Sequence, residues 1–247
     1  MPSILTLENI SKRFGAVVVA DNIDLTLLRG EALGIIGPNG AGKTTLFGIV
    51  TGTVPPDAGR VVFEGHDVTR MKPEHRCRMG LARSFQVPQP FGGMTVFENL
   101  VVAAAFGGGR SEREVYAGCA GLLERCGLAD KANRRAGSLT LLDRKRLELA
   151  RALATGPRVL LLDEVVAGVN PAEAIAFAAL IRKVRDERGI SVIMIEHVMP
   201  AVMSLSDRIV VLDHGKRIAE GTPKDVVADP RVIAAYLGSE AGTDGAT

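Results

Sequence analysis

The sequence predicts an α/β fold: a parallel sheet flanked by helices, with a small antiparallel sheet at its N-terminal end and an inserted helical subdomain. Three observations lead there. An apolar run at Leu33, Ile35 and Ile36 feeds the glycine-rich stretch of residues 37–44, GPNGAGKT, and then a helix-compatible segment from Thr45. Two further apolar runs, VLLL at 159–162 and ISVIMI at 190–195, are continuous rather than alternating, as in strands covered on both faces. Segments with helical spacing separate these runs, the pattern of strand–helix–strand units that share one parallel sheet.

Taken in order, residues 3–10 (SILTLENI) alternate apolar and polar, and residues 16–28 alternate again at Ile23, Leu25 and Leu27. Both read as strands of a half-buried antiparallel sheet. Residues 32–36 form the first parallel strand, and a helix over 43–51 ends at Gly52. Pro55-Pro56-Asp57-Ala58-Gly59 is a turn, and residues 60–64 (RVVFE) are a short strand. The basic stretch 70–83 reads as a solvated helix face.

Helical spacing returns in TVFENLVVAAAF and EVYAGCAGLLERCG, separated by Gly107-Gly108-Gly109, and again in the amphipathic segment 145–154. A helix over 171–188 ends at Gly189, one more strand covers 207–213, and Gly215 begins a turn. The expected organisation is therefore residues 1–87 for the antiparallel sheet and the first part of the core, 88–150 for the helical subdomain, and 151–238 for the second part of the core. Residues 239–247 are expected to lack regular structure.

The chain has 247 residues, 47% hydrophobic, which suffices for a substantial core. A formal charge of +2 gives no nucleic-acid footprint. Cys77, Cys119 and Cys126 are too few and scattered for a disulfide framework or a zinc site; Cys119 and Cys126 read as small buried apolar residues, and a reducing cytosol is expected. The N-terminus places its basic residues after a short apolar stretch, unlike a signal peptide, and no run approaches the ~18–20 apolar residues that cross a bilayer. A soluble protein is expected, or one that reaches a membrane through something else.

Residues 37–44 fit G-x-x-x-x-G-K-[ST] in a strand–loop–helix setting, the phosphate loop. Gly37, Pro38, Asn39, Gly40, Ala41 and Gly42 would turn backbone N–H groups onto a nucleotide's phosphates, with the helix N-terminus and Thr45 behind them. Lys43 would reach the β- and γ-phosphates, and the Thr44 hydroxyl would hold Mg²⁺. Ligands of open α/β sheets collect at the carboxyl ends of strands. There Asp163 would hold Mg²⁺, directly or through water, Glu164 would orient or deprotonate the attacking water, and His197 would assist. No Asn-Lys-x-Asp motif is present, which disfavours GTP.

The order phosphate loop, Ser84-Phe85-Gln86, LTLLDRKRLELARAL, apolar-Asp163-Glu164, apolar-Glu196-His197 resembles an ABC transporter ATPase subunit over nearly the whole chain. The resemblance implies a RecA-like P-loop NTPase core, with Phe14 stacking on adenine and Gln86 as the glutamine that senses Mg²⁺, the water and the membrane subunit. It further implies Asp163 and Glu164 as the acidic pair, His197 as the switch histidine, and residues 167–170 as the loop after that pair.

The segments QVPQPFGGMTVFENLVVAA and IAEGTPKDVVADPRVIAAYLG resemble the ATPases of branched-chain (hydrophobic) amino-acid importers. Other solutes, namely urea or amides, lipid export, and a catalytically weak regulatory half of a heterodimer are the alternatives. The implied partners are two membrane permease subunits, a second ATPase subunit in a head-to-tail dimer and, indirectly, a periplasmic solute-binding protein. The implied place is the cytoplasmic face of the inner membrane, peripherally bound. Met94, Val96 and Phe97 are candidates for the groove that receives a membrane subunit.

One departure matters. The family's LSGGQ signature is replaced by Leu139-Thr140-Leu141-Leu142-Asp143. Leucine restricts close backbone approach to a γ-phosphate, and Asp143 is expected to add unfavourable charge. A chain that binds ATP well but completes its partner's site poorly is expected, so a heterodimer is favoured over a homodimer.

Overall fold

β1 (Ser3–Phe14) and β2 (Val17–Leu28) pair antiparallel, burying Leu5, Leu7, Ile10, Ile23, Leu25 and Leu27 on one face. These belong to a computed structural model that describes residues 2–240, with side chains through Tyr236. β3 (Ala32–Ile36) is wholly buried and leads through residues 37–42 into α1 (Lys43–Thr51), which ends on Gly52 in the left-handed conformation. β4 (Ala58–Phe63) and β5 (His66–Asp67) complete the first sheet in the order β2-β1-β4-β5. β4 starts inside the stretch read as a turn, because Ala58 already pairs with Ser11 across the sheet.

The basic stretch 70–83 exposes Arg70, Lys72, His75 and Arg78 as expected and departs from expectation at Arg76. It forms α2 (Pro73–Met79) and the three-residue β6 (Leu81–Arg83), and Arg76 is 1% exposed rather than solvated. Its guanidinium donates to the carbonyls of Ile49 (2.7 Å) and Val50 (2.8 Å) in the last turn of α1, and to those of Thr69 and Met71. The last carbonyls of a helix lack intrahelical partners and sit at the negative end of its dipole, so a planar cation with several donors satisfies both demands.

α3 (Val96–Val102) opens with a Thr95–Glu98 capping box and runs on as a π-helical turn over 103–107. α4 (Glu112–Arg125) and α5 (Leu141–Ala154) complete the helical layer, with Cys119 and Cys126 buried in its core. Val96 is fully buried there, so it is a core residue and no part of an exposed groove, while Met94 is exposed.

β7 (Val159–Asp163), α6 (Pro171–Arg188), β8 (Ser191–Ile195), α7 (Met199–Leu205), β9 (Arg208–Asp213) and β10 (Lys216–Gly221) follow. The second sheet has the order β10-β9-β3-β8-β7-β6, parallel except for edge strand β10. The pleat divides its continuous apolar runs between two cores. Val159, Leu161, Ile193, Ile195 and Val210 face α1 and the antiparallel sheet, while Leu160, Leu162, Val192, Met194 and Val211 face the helices.

α8 (Pro223–Ala228) and α9 (Pro230–Glu240) close the chain. α9 extends two residues into the segment expected to lack structure, with Val232 and Tyr236 packed on the core; residues 241–247 of that segment lie outside the described residues.

Arg76→Ala should lower stability by on the order of 3 kcal/mol, seen as a fall of roughly 6–12 °C in Tm, because buried carbonyls lose their donor. A change under 2 °C would mean that water replaces the guanidinium.

Candidate active site

The phosphate loop spans the carboxyl end of β3 and is held between two neighbouring backbones. Gly37 leaves β3 at φ 149°, where a Cβ would lie 2.0 Å from the carbonyl oxygen of Leu212. Gly42, at φ 98°, has the same 2.0 Å relation to the carbonyl oxygen of Val19. Both closures require glycine. Asn39, Gly40, Ala41, Gly42, Lys43, Thr44 and Thr45 then line one cleft together with Val19 and Glu164.

Lys43 turns its ammonium into the loop and donates to the carbonyls of Gly37 (2.7 Å) and Pro38 (2.9 Å). Burial pushes its pKa down, and the charges of Glu164 and Asp163 pull it back up. The first N–H groups of α1 face the same cleft, and no acidic residue occupies its first turn, so the site keeps its positive field.

Asp163 ends β7 and is 4% exposed. Arg83, at the end of neighbouring β6, places Nη2 2.6 Å from Asp163 Oδ2, and its guanidinium lies over the rings of Phe47 and Phe85. That bridge joins positions 80 residues apart, and nothing local in the sequence signals it.

Glu164 takes a left-handed φ of 46° while its N–H donates to the carbonyl of Ile195 at 2.9 Å. This turn points its carboxylate at the loop. Gln86 Nε2 donates to Glu164 Oε2 at 2.5 Å, and His197 Nδ1 lies 3.9 Å from the same oxygen. A carboxylate in that place can accept a proton from a water next to the phosphates. The structure thus gathers Lys43, Thr44, Thr45, Asp163, Glu164, Gln86 and His197. Phe14 stands apart: it is 51% exposed at the β1–β2 turn, with the Lys12 ammonium 5.2 Å above its ring, and it does not line the cleft.

Among the described residues no three His, Cys, Asp or Glu side chains converge on a metal cage. Asp163 and the Thr44 hydroxyl would offer oxygen ligands of the kind that suits Mg²⁺ carried by phosphates.

Glu196 was not singled out from the sequence. It is 1% exposed; Oε1 accepts from the N–H of Val166 at 2.9 Å, and Oε2 has no hydrogen-bond partner. Burial pushes its carboxyl up to about 7, Glu164 adds to the rise, and the N–H groups of Val166 and His197 with the Lys145 ammonium oppose it.

The signature segment also differs from expectation. Thr140 caps α5, so Leu141, Leu142 and Asp143 are its first turn. Asp143 is 6% exposed, paired with Lys131 at 2.9 Å and hydrogen-bonded to Thr140, so its charge is compensated within the chain. Leu141 is exposed and would lie 3.6 Å from a side chain at Gly168.

A family model described as "ABC transporter" matches residues 20–167, which run from β2 through the phosphate loop to just past Glu164. The chain belongs to the ABC transporter family. A second model, "Branched-chain amino acid ATP-binding cassette transporter", matches residues 216–242. The high-affinity branched-chain amino acid transport ATP-binding protein BraF of Pseudomonas aeruginosa is 40% identical, over 95% of this chain and 98% of its own. LivG of Escherichia coli, named for the same transport, is 39% identical over the same shares.

A solved ATP-binding cassette in its ADP conformation superposes with a TM-score of 0.88 at 34% identity, covering 96% of this chain and 100% of that one. A nucleotide-free cassette gives 0.87, also at 34%, covering 95% and 99%. This ABC transporter subunit is a nucleotide-binding ATPase with the P-loop NTPase fold. Among the described residues no helix is long and apolar enough to cross a membrane.

Arg83→Met should cut ATP turnover by about 10–100-fold by freeing Asp163 to swing, measured as phosphate release at saturating MgATP; full turnover would make the bridge irrelevant to Asp163.

Glu196→Gln tests the buried carboxyl. Its folded pKa is raised, so the neutral form's stabilisation is present below the unfolded value near 4.3 and is lost as pH rises towards 7. The variant should match the parent near pH 4 and exceed it by at most roughly 3 kcal/mol above pH 7 in denaturant titrations. A constant difference at all pH values would exclude titration as the cause.

Proposed function

We propose that this ABC ATPase hydrolyses MgATP to drive import of branched-chain or other hydrophobic amino acids through two separate permease subunits. The observation that carries the chemistry is the convergence of Gln86 and His197 on one oxygen of Glu164, across the cleft from the phosphate loop. The solute follows from the relatives, whose names specify branched-chain amino acid transport, and from the second family model at the C-terminal end.

In this reading Lys43 and the N–H groups of residues 39–45 hold the β- and γ-phosphates. Thr44 and Asp163, with Gln86 alongside, hold Mg²⁺, which when bound neutralises phosphate charge. Glu164 orients the attacking water and takes its proton; Gln86 and His197 fix the carboxylate and stabilise the developing charge. Phe14 offers an exposed ring face for adenine at the β1–β2 turn.

The working unit is a head-to-tail dimer at the cytoplasmic face of the inner membrane, served by a periplasmic solute-binding protein. Leu141 and Leu142 stand where α5 would meet the partner's γ-phosphate, and the bulk of exposed Leu141 supports a heterodimer with one weaker composite site.

Glu164→Gln should bind MgATP, form a dimer with the second ATPase subunit by mass measurement, and lower turnover by at least about 100-fold. Labelled leucine uptake into vesicles bearing the assembled transporter should fall in parallel. Turnover at the parent rate would remove Glu164 from this role, and uptake of urea but not leucine would overturn the solute.

A further inference from the structure

The stretch between β6 and α3 carries Gln86, and it is fastened at both ends. Upstream, Ser84 is fully buried and its N–H donates to the carbonyl of Leu161 in β7 at 2.9 Å. Downstream, the chain is held by the helical layer. The Arg151 guanidinium, on α5, donates to the carbonyl of Gln89 at 3.0 Å and lies 5.2 Å from the centre of the Phe91 ring. Buried Asn99, on α3, accepts from the N–H of Phe91 at 2.9 Å and donates to its carbonyl at 3.1 Å. Gly137, ahead of α5, donates its N–H to the carbonyl of Gly92 at 3.1 Å.

Of the downstream fastenings Arg151 is the one nearest to Gln86, and it is itself held. The nitrogen that donates to Gln89 also lies 2.9 Å from Glu148 Oε2, one turn earlier on α5, and Glu148 is only 7% exposed. A carboxylate so far from water requires a counter-charge, and the pair fixes the guanidinium's place on the helix. Between the fastenings the backbone is stiff, because Pro88 and Pro90 fix their own φ and disfavour helical backbone at Val87 and Gln89. Gln86 is exposed, so its aim at Glu164 Oε2, 2.5 Å away, follows from the backbone that carries it rather than from side-chain packing. Neither Arg151 nor Glu148 lines the phosphate cleft.

We propose that Arg151, braced by Glu148, is a positioning residue for ATP hydrolysis: it sets the downstream limb of segment 84–92 so that Gln86 stays on Glu164. Without the guanidinium that limb is tied only at Phe91 and Gly92, and Gln86 spends time off the carboxylate. The inference rests on the reading that Gln86 and Glu164 act together on the attacking water.

The test uses the full chain in the assembled transporter, with MgATP as the probe. Arg151→Gln should lower kcat by about five- to twentyfold and leave KM within about twofold, since the phosphate loop is untouched. Arg151→Lys, which restores a cation, should recover kcat to within about threefold of the parent. Action through Gln86 is read from a double variant: on a Gln86→Ala background, Arg151→Gln should cause no further loss. A double-variant loss equal to the product of the two single losses would overturn positioning, as would a parent kcat in Arg151→Gln. Parent turnover by Gln86→Ala would instead overturn the reading of Gln86 on which the inference rests. Should Arg151→Gln fail to fold, Glu148→Gln keeps the side chain's shape and weakens the brace. It should lower kcat about two- to fivefold alone and not at all on Gln86→Ala, and a parent kcat would overturn the proposal. Arg182→Gln, at an exposed arginine of α6, should keep the parent kcat and KM; a comparable loss there would assign the effect to charge removal and overturn the role of Arg151.

Discussion

The site depends on how closely the phosphate loop approaches two other backbones. At Gly37 and Gly42 a Cβ would fall 2.0 Å from the carbonyls of Leu212 and Val19. Those carbonyls belong to different sheets, so the loop is wedged between the parallel core and the antiparallel sheet. The wedge aims the N–H groups of residues 39–45 and the first turn of α1 at one point. Were either glycine replaced, the sheets or the loop would have to move, and with them the Lys43 ammonium that now lies against Gly37 and Pro38.

Around that point the charges are arranged in pairs that restrain one another. Arg83 holds Asp163, Gln86 holds Glu164, Lys145 lies against the Glu164 carbonyl, and Glu196 holds the Val166 N–H. The two acidic side chains at the end of β7 are each held by a side chain from the neighbouring segment 83–86. The unmatched oxygen is Glu196 Oε2, and its burial raises that carboxyl to about 7. That acid stands directly before His197 and is bonded to the segment after Glu164, with burial and the Glu164 charge raising it together.

Much of this was legible from residues alone. The phosphate loop was, because its glycines, lysine and threonine answer to local backbone geometry. The buried strands ending in Asp163-Glu164 and Glu196-His197 were, because a strand covered on both faces must be apolar without interruption and turns polar where it leaves the core. The helix ends at Gly52 and Gly189 were legible for the same local reason. Arg76 was misread, and the charge expected of Asp143 is paired inside the chain. Charge counted along the chain shows neither which helix end a guanidinium closes nor which cation an aspartate meets, and here Arg76 closes α1 while Asp143 meets Lys131.

The sequence by itself determined the elements, the family likeness and the groups able to do chemistry, since periodicity, capping and loop conformation act over a few residues. Only the tertiary structure decided which of those groups meet. Arg83 reaches Asp163 because β6 and β7 are neighbours, Glu164 faces Gln86 because a left-handed turn follows β7, and Leu212 closes on Gly37 because β9 lies beside β3. Such contacts join residues far apart in the chain, where no local preference acts and only the packing of the two sheets sets the distance.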